Sequence, residues 1–311
     1  MKLFALTGTT TFAKRVAASL HQELSFLDVR SFADKELKVT VGETVRNESV
    51  YLIGQLANEQ QDVNTGLMEL VLVSDAMRRA GAAKIVAVLP YLPYSRQDKK
   101  ISREPIGAKV VADILRASGV DQVVTMDIHA EQIAGFYDHL DNLKARSLFV
   151  NELKGHPFDV VVSPDAGGVK RVERYAKELG VDMAFMHKHR NYEQTNVVEQ
   201  VQLVGDVKGA HCLLIDDMID TGGTIIKAIE ELHQKGAKQV DILCTHALLN
   251  GSAPDSLKQL QQSGRLGTIY HADTIQKDEP LKNAFVISTA PLFAQAIKAI
   301  DEGKSLNKFV Q

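Results

Sequence analysis

Short apolar, β-rich runs alternate with amphipathic stretches along the whole chain, and this alternation limits the possible folds more than any other feature. The runs fall at 2–7, 50–54, 84–89, 122–127, 160–163, 183–187, 212–215, 239–245, 268–271 and 284–288. Helical periodicity fills 12–23, 64–80, 106–117, 169–179, 224–235 and 292–302. Strands that are apolar on both faces and separated by helices predict parallel sheets covered on each side. Gly81, Gly119, Gly180 and Gly236 each follow a helical run, where a left-handed cap belongs. The pattern divides near 140–158, and VVTMDIHAEQIAG before the divide faintly echoes CLLIDDMIDTGG after it. The expected architecture is α/β, with two similar doubly wound domains of mainly parallel sheets at 1–145 and 146–311. The last helix is free to pack back on the first domain.

A chain of 311 residues is long enough for two such domains. At 45% apolar residues it can bury two cores. The net charge of −3 gives no global field that would favour nucleic acid or an anionic membrane, so an anionic ligand must be met by local basic groups. Cys212 and Cys244 lie inside apolar runs and read as core thiols, which fits a reducing compartment. MKLFALTG is too short and too soon charged for a signal peptide or a membrane span. A soluble cytoplasmic protein is expected.

The stretch CLLIDDMIDTGGTI, 212–225, carries the clearest chemistry. A buried strand over 212–215 would leave Asp216 and Asp217 at its carboxyl end, where open α/β sheets bind ligands. Asp220, Thr221, Gly222, Gly223 and Thr224 then lead into a helix. Glycines let successive backbone N–H groups point into one concavity, and the helix start adds partial positive charge. Such a loop holds a monophosphate, and the adjacent carboxylates accept hydrogen bonds from a sugar diol. An acidic N-cap with a glycine turn has the same composition. The run of acids, threonines and glycines outweighs it.

This stretch resembles the ribose-phosphate signature shared by phosphoribosyltransferases and ribose-phosphate pyrophosphokinases. Other segments favour the second family. FADKE at 32–36 resembles its adenine-binding turn, with Phe32 to stack on a base and Asp34 and Glu36 to accept from an amine; an exposed turn of no function has the same residues. PYLPYSRQDKKISREPIGAK at 90–109 resembles its polyphosphate loop. Arg96, Lys99, Lys100 and Arg103 supply forked donors and point charges, and Gln97 and Asp98 add hydrogen bonding toward a nucleotide. A solvated charge run is the bland reading, and the neighbouring prolines and tyrosines argue against it. MDIHAEQIAGFY is similar to the family's Asp-x-His block, with Asp127, His129 and Gln132, and SPDAGGVKR to its strand-to-helix turn with Asp165. HKHRNYEQTNVVE at 187–199 resembles its mobile catalytic loop, with Lys188 and Arg190.

The resemblance covers nearly the whole chain. It implies a phosphoribosyltransferase-like fold, with ATP on the first domain and ribose 5-phosphate on the second. It implies Mg²⁺ held by His129 and Asp165, Lys188 and Arg190 closing on the reacting phosphate, and a homo-oligomer, either a dimer or a hexamer of dimers. The products implied are 5-phosphoribosyl 1-pyrophosphate and AMP. Two alternatives stay open: a non-catalytic regulatory paralogue that assembles with an active enzyme, and a phosphoribosyltransferase that needs a nucleobase and no ATP. Several positions depart from the family pattern: Lys35, the stretch 57–64, a polyphosphate loop one residue short after Lys100, Glu131, the segments 250–253 and 272–275, and the tail SLNKFVQ.

Overall fold

The structure, a computed structural model, describes residues 1–189, 200–277 and 281–310. The chain forms two compact units. One comprises Met1–Ala145, Asp273–Asp278 and Ser288–Gln311, and the other comprises Arg146–Ala272 and Glu279–Ile287.

In the first unit β1 (Lys2–Ala5), β4 (Ser49–Ile53), β5 (Lys84–Leu89), β6 (Gln122–Met126) and β7 (Leu140–Leu143) form a parallel sheet in that spatial order. The crossovers run through α1 (Thr10–Ser19), α2 (Val63–Arg79) and α3 (Gly107–Ala117). The order never reverses in this sheet. Asp62 starts α2 by accepting from the Asn64 and Thr65 amides at 2.8 and 3.2 Å. Between β1 and β4 the chain makes an antiparallel hairpin, β2 (Leu27–Ser31) with β3 (Leu37–Val41), whose turn carries the FADKE segment.

In the second unit the order is β10 (Gln200–Val204), β9 (Asp182–His189), β8 (Val160–Ser163), β11 (His211–Ile219), β12 (Gln239–Ala247), β13 (Ile269–Ala272) and β14 (Ala284–Ile287). Only β10 is antiparallel to its neighbour. Helices α4 (Arg146–Leu153), α5 (Val169–Leu179), α6 (Gly223–Gln234) and α7 (Ala253–Gln262) complete it. From β8 the chain crosses through α5 to β9 on one side, and from β11 through α6 to β12 on the other. The winding therefore reverses between β8 and β11. Residues of β8 and β12 are buried almost throughout, as a sheet covered on both faces requires.

The strand over 212–215 runs four residues further than its apolar run predicts. Asp216 pairs with Cys244, Met218 with His246 and Ile219 with Ala247, so the two acids lie within β11 rather than beyond its end. Backbone pairing with β12 holds them extended in spite of their charge. The four predicted glycine caps are all left-handed, with φ between 72 and 96°.

The chain returns to the first unit through α8 (Ala290–Asp301) and α9 (Asn307–Val310). Phe12 of α1 meets Phe293 of α8 edge-on at 5.8 Å, and both are buried. Asp273 anchors the return. Its backbone carbonyl accepts from Gln55 Nε2 at 2.7 Å. Its carboxylate accepts from Arg15 at 3.2 Å, Ser288 Oγ at 2.7 Å, and the Thr289 amide and hydroxyl at 2.6 and 2.7 Å. Asp273 is buried, so removing the carboxylate strands several donors away from water. Asp273→Ala is expected to cost about 2–4 kcal/mol, read as a lower denaturant midpoint, and Asp273→Asn less.

Candidate active site

The reversal between β8 and β11 leaves their carboxyl ends uncovered by a crossover, which is where open α/β sheets bind ligands. On the β11 side Asp216 and Asp217 come first. Arg171, in the first turn of α5, reaches both: Nη1 lies 3.2 Å from Asp216 Oδ1 and Nη2 3.2 Å from Asp217 Oδ1. The Asp217 amide also donates to Asp216 Oδ1 at 2.9 Å. Burial first, and then the charge of Asp217, push the Asp216 carboxyl up to about 8, with Arg171 opposing the rise. Hydrogen-bond donors brought to this carboxyl favour its charged form, which links their arrival to release of the proton.

The loop follows directly. Asp220 Oδ1 accepts from Asn250 Nδ2 at 2.7 Å, and its carbonyl from the Asn250 amide at 2.9 Å. Gly222 caps α6 with φ 79°, and a Cβ there would meet the Ala253 methyl at 3.3 Å, so both backbone and space call for glycine. No side chain caps α6, and its first backbone bond runs from Ile226 back to Gly222. The amides of Gly223, Thr224 and Ile225 therefore have no acceptor inside the helix. Gly223 and Thr224 are exposed, and a Cβ on Gly223 would meet nothing within 4 Å. Uncapped N–H groups at a helix start beside open space are suited to an anion. Thr221 is also exposed and Asp220 half-buried.

On the β8 side Asp165 is half-buried and caps the following turn, accepting from the Gly168 amide at 3.1 Å through Oδ1. Its Oδ2 has no partner among the described residues. Lys188 lies in β9 with its backbone paired to Val201. Its side chain, and Arg190 with the rest of the segment to 199, lie outside the described residues.

In the first unit the FADKE turn closes with the Phe32 amide bonded to the Glu36 carbonyl at 2.8 Å and the Glu36 amide to Asp34 Oδ1 at 3.1 Å. Phe32 is 54% exposed at its tip, and Lys35 takes a left-handed φ of 77°. In the 90–109 loop Arg96, Gln97, Lys99, Lys100 and Arg103 are exposed. Asp98 is buried and accepts from Gln132 Nε2, which ties this loop to the short 3₁₀ turn Glu131–Phe136. Its carboxylate thus holds two candidate segments together. His129 is exposed just before that turn, and Asp127 follows β6 with φ 41°. The structure thus gathers the acids, Arg171 and the anion loop in one unit, and the aromatic turn, the cation loop and His129 in the other.

The family model for the N-terminal domain of ribose phosphate pyrophosphokinase matches residues 1–119, and the phosphoribosyl transferase domain model matches 136–263. The ribose-phosphate pyrophosphokinase of Campylobacter jejuni is 41% identical over 310 residues, covering 98% of this chain and 97% of its own length. That of Vibrio parahaemolyticus is 42% identical over 316 residues, with 99% and 98% covered. The crystal structure of phosphoribosylpyrophosphate synthetase from Mycobacterium smegmatis superposes with a TM-score of 0.89 at 38% identity, covering 97% of this chain and 99% of that one. The chain belongs to the ribose-phosphate pyrophosphokinase family.

The uncapped 220–224 turn and the cation-rich 90–109 loop lie in the stretches matched by the two family models. Two residues of the site had no assigned role in the sequence. Arg171 closes the SPDAGGVKR segment six residues after Asp165, and the segment alone gives it no partner. Asn250 stands in a segment that departs from the family pattern, and here it fixes Asp220.

A proton-linked stability follows from Asp216. Its folded value is raised above the ordinary ~3.9, so its contribution is full below that value and is lost as pH rises through about 8. Between roughly pH 5 and roughly pH 9, the ligand-free protein is expected to lose more Tm than Asp216→Asn does, measured by differential scanning fluorimetry.

Proposed function

We propose that the chain transfers the pyrophosphoryl group of ATP to the anomeric hydroxyl of ribose 5-phosphate, giving 5-phosphoribosyl 1-pyrophosphate and AMP. The observation that carries this reading is the uncapped start of α6 beside two consecutive carboxylates at the sheet's switch point. The 5-phosphate would take the Gly223, Thr224 and Ile225 amides and the Thr221 and Thr224 hydroxyls, and the ring hydroxyls would donate to Asp216 and Asp217. Asp220, held by Asn250, shapes the loop. ATP is assigned to residues 1–145 and the sugar phosphate to the second unit. Phe32 offers a face for the base, with Asp34 and Glu36 beside it. Arg96, Gln97, Lys99 and Lys100 offer exposed donors for the phosphates, while Asp98 steadies their loop.

The reaction is in-line displacement at the β-phosphorus, with charge spread over the phosphoryl oxygens. Positioning and electrostatics dominate such chemistry. Lys188 and Arg190 are assigned to the transferring group as strong donors.

Mg²⁺ suits the residues available. Among the described residues no three His, Cys, Asp or Glu side chains converge as a cage. Mg²⁺ needs none, because it takes one or two carboxylates and completes its shell with phosphate oxygens and water. Asp165 has an unshared oxygen suited to it, and the exposed His129 imidazole is assigned to it as well. When bound, it supplies charge neutralisation on the phosphates.

The same reading includes a homo-oligomer in the cytoplasm. Val110 and Ile114 are exposed one turn apart on α3, an apolar stripe suited to a second copy. Cys212 and Cys244 are buried and in no disulfide among the described residues, which suits a reducing compartment. Among the described residues no helix is long and apolar enough to cross a membrane.

Purified protein is expected to form AMP only when ATP and ribose 5-phosphate are both present, with no nucleobase. AMP formation that ignores ribose 5-phosphate would rule the reading out. Inactivity of protein that still binds ribose 5-phosphate would turn it toward a regulatory paralogue. Lys188→Ala is expected to lower kcat by on the order of 10²–10³. Thr224→Val and Asp220→Ala should chiefly raise KM for ribose 5-phosphate, as steady-state kinetics will show.

A further inference from the structure

We infer that Arg171 is a positioning residue for the sugar: its guanidinium fork holds Asp216 and Asp217 as one fixed pair of acceptors for the ring hydroxyls of ribose 5-phosphate. The inference rests on the proposed reading of those two acids. Three features of the structure lead to it.

The first is direction. Consecutive residues of a strand point to opposite faces of the sheet. Yet Asp216 and Asp217 present Oδ1 to Nη1 and Nη2 of the same side chain, each at 3.2 Å. The Asp217 amide turned onto Asp216 Oδ1 is part of the same local arrangement. The two carboxylates are thus drawn together by one planar group.

The second is charge. Two carboxylates this close disfavour each other's ionisation, and both are largely out of water, with side chains 18% and 6% exposed. A forked cation offsets that repulsion and fixes two oxygens in one plane, which an ammonium point charge cannot do.

The third is place. Arg171 is the third residue of α5, where the helix dipole disfavours a cation. Position in the helix therefore gives Arg171 no stabilisation of its own, and the acid pair is what compensates it. Arg171 is not assigned to the reacting phosphates. It acts through Asp216 and Asp217.

The test compares Arg171→Met, Arg171→Lys and Asp217→Asn with the wild-type protein. Folding is checked by circular dichroism and melting. Binding of ribose 5-phosphate and of 2-deoxyribose 5-phosphate is measured by calorimetry, and KM and kcat by AMP formation. Arg171→Met is expected to weaken ribose 5-phosphate binding about 10- to 100-fold, as loss of a supporting group does elsewhere. It should also shrink the preference for ribose over 2-deoxyribose, raise KM for ribose 5-phosphate, and leave KM for ATP and kcat at saturation within a few-fold of wild type. A general loss of structure would not move the sugar preference alone. Arg171→Lys keeps the charge without the fork, and should recover part of the affinity and part of the preference. If Arg171→Met does not fold, Arg171→Lys decides, and wild-type affinity and preference in it would overturn the inference. If Arg171→Met behaves as wild type while Asp217→Asn loses the sugar, the acids bind it without Arg171 and the inference is wrong. If Asp217→Asn also binds normally, the reading of the acid pair fails and the inference fails with it.

Discussion

Two neighbouring parallel strands whose crossovers leave in opposite directions cannot have a connection laid over their carboxyl ends. In the second unit this occurs between β8 and β11, and the candidate residues of β8, β11 and the turns that follow them gather at it. The β8 end turns sharply at Asp165, which caps the short turn Ala166–Gly168 that leads into α5. The third residue of α5 is then Arg171, within reach of β11. The β11 end carries two acids that no sheet would otherwise hold side by side, and Arg171 makes them tolerable there. The next turn begins α6 with a left-handed glycine and amides that have no acceptor inside the helix. An acid pair and an uncapped helix start thus meet at one reversal of winding.

The first unit has no such reversal, and it builds its candidate site differently, from loops. The aromatic turn stands at the tip of a two-stranded hairpin, and the cation-rich loop is tied down by buried Asp98 through Gln132. The loop's cations stay exposed, and buried Asp98 among them ties the loop down. Asp273 does comparable work for the returning chain, gathering Arg15, Gln55, Ser288 and Thr289 around one buried residue. Residues 272–275 depart from the family pattern, and this network gives that departure a structural role.

Much of the fold was legible because buried parallel strands are continuous apolar runs: 84–89 and 160–163 are strands over the residues expected, and 169–179 is a helix over those expected. The hairpin β2–β3 was missed because its alternation of apolar and charged residues, LDVRS and LKVTV, has no continuous run. Its period of two was there to be read. Helix α7 was missed although Pro254 near its start is a common opening signal. The extension of β11 through Asp216 and Asp217 was not legible, since acids inside a buried strand are disfavoured until a partner distant in sequence is known. The turn at 220–224 was legible because its two glycines mark the passage from strand to helix. The contacts of Arg171 and Asn250 were not, although Arg171 closes the SPDAGGVKR segment, because each is made across the fold.

The most direct test follows the phosphorus atoms. Purified protein with ATP, ribose 5-phosphate and Mg²⁺ is monitored by ³¹P NMR. Transfer of the β- and γ-phosphates as one unit predicts a new diphosphate attached to the sugar, rising in step with AMP and without inorganic phosphate. ADP with a singly phosphorylated anomeric carbon, or inorganic pyrophosphate released with no sugar diphosphate, would contradict the account.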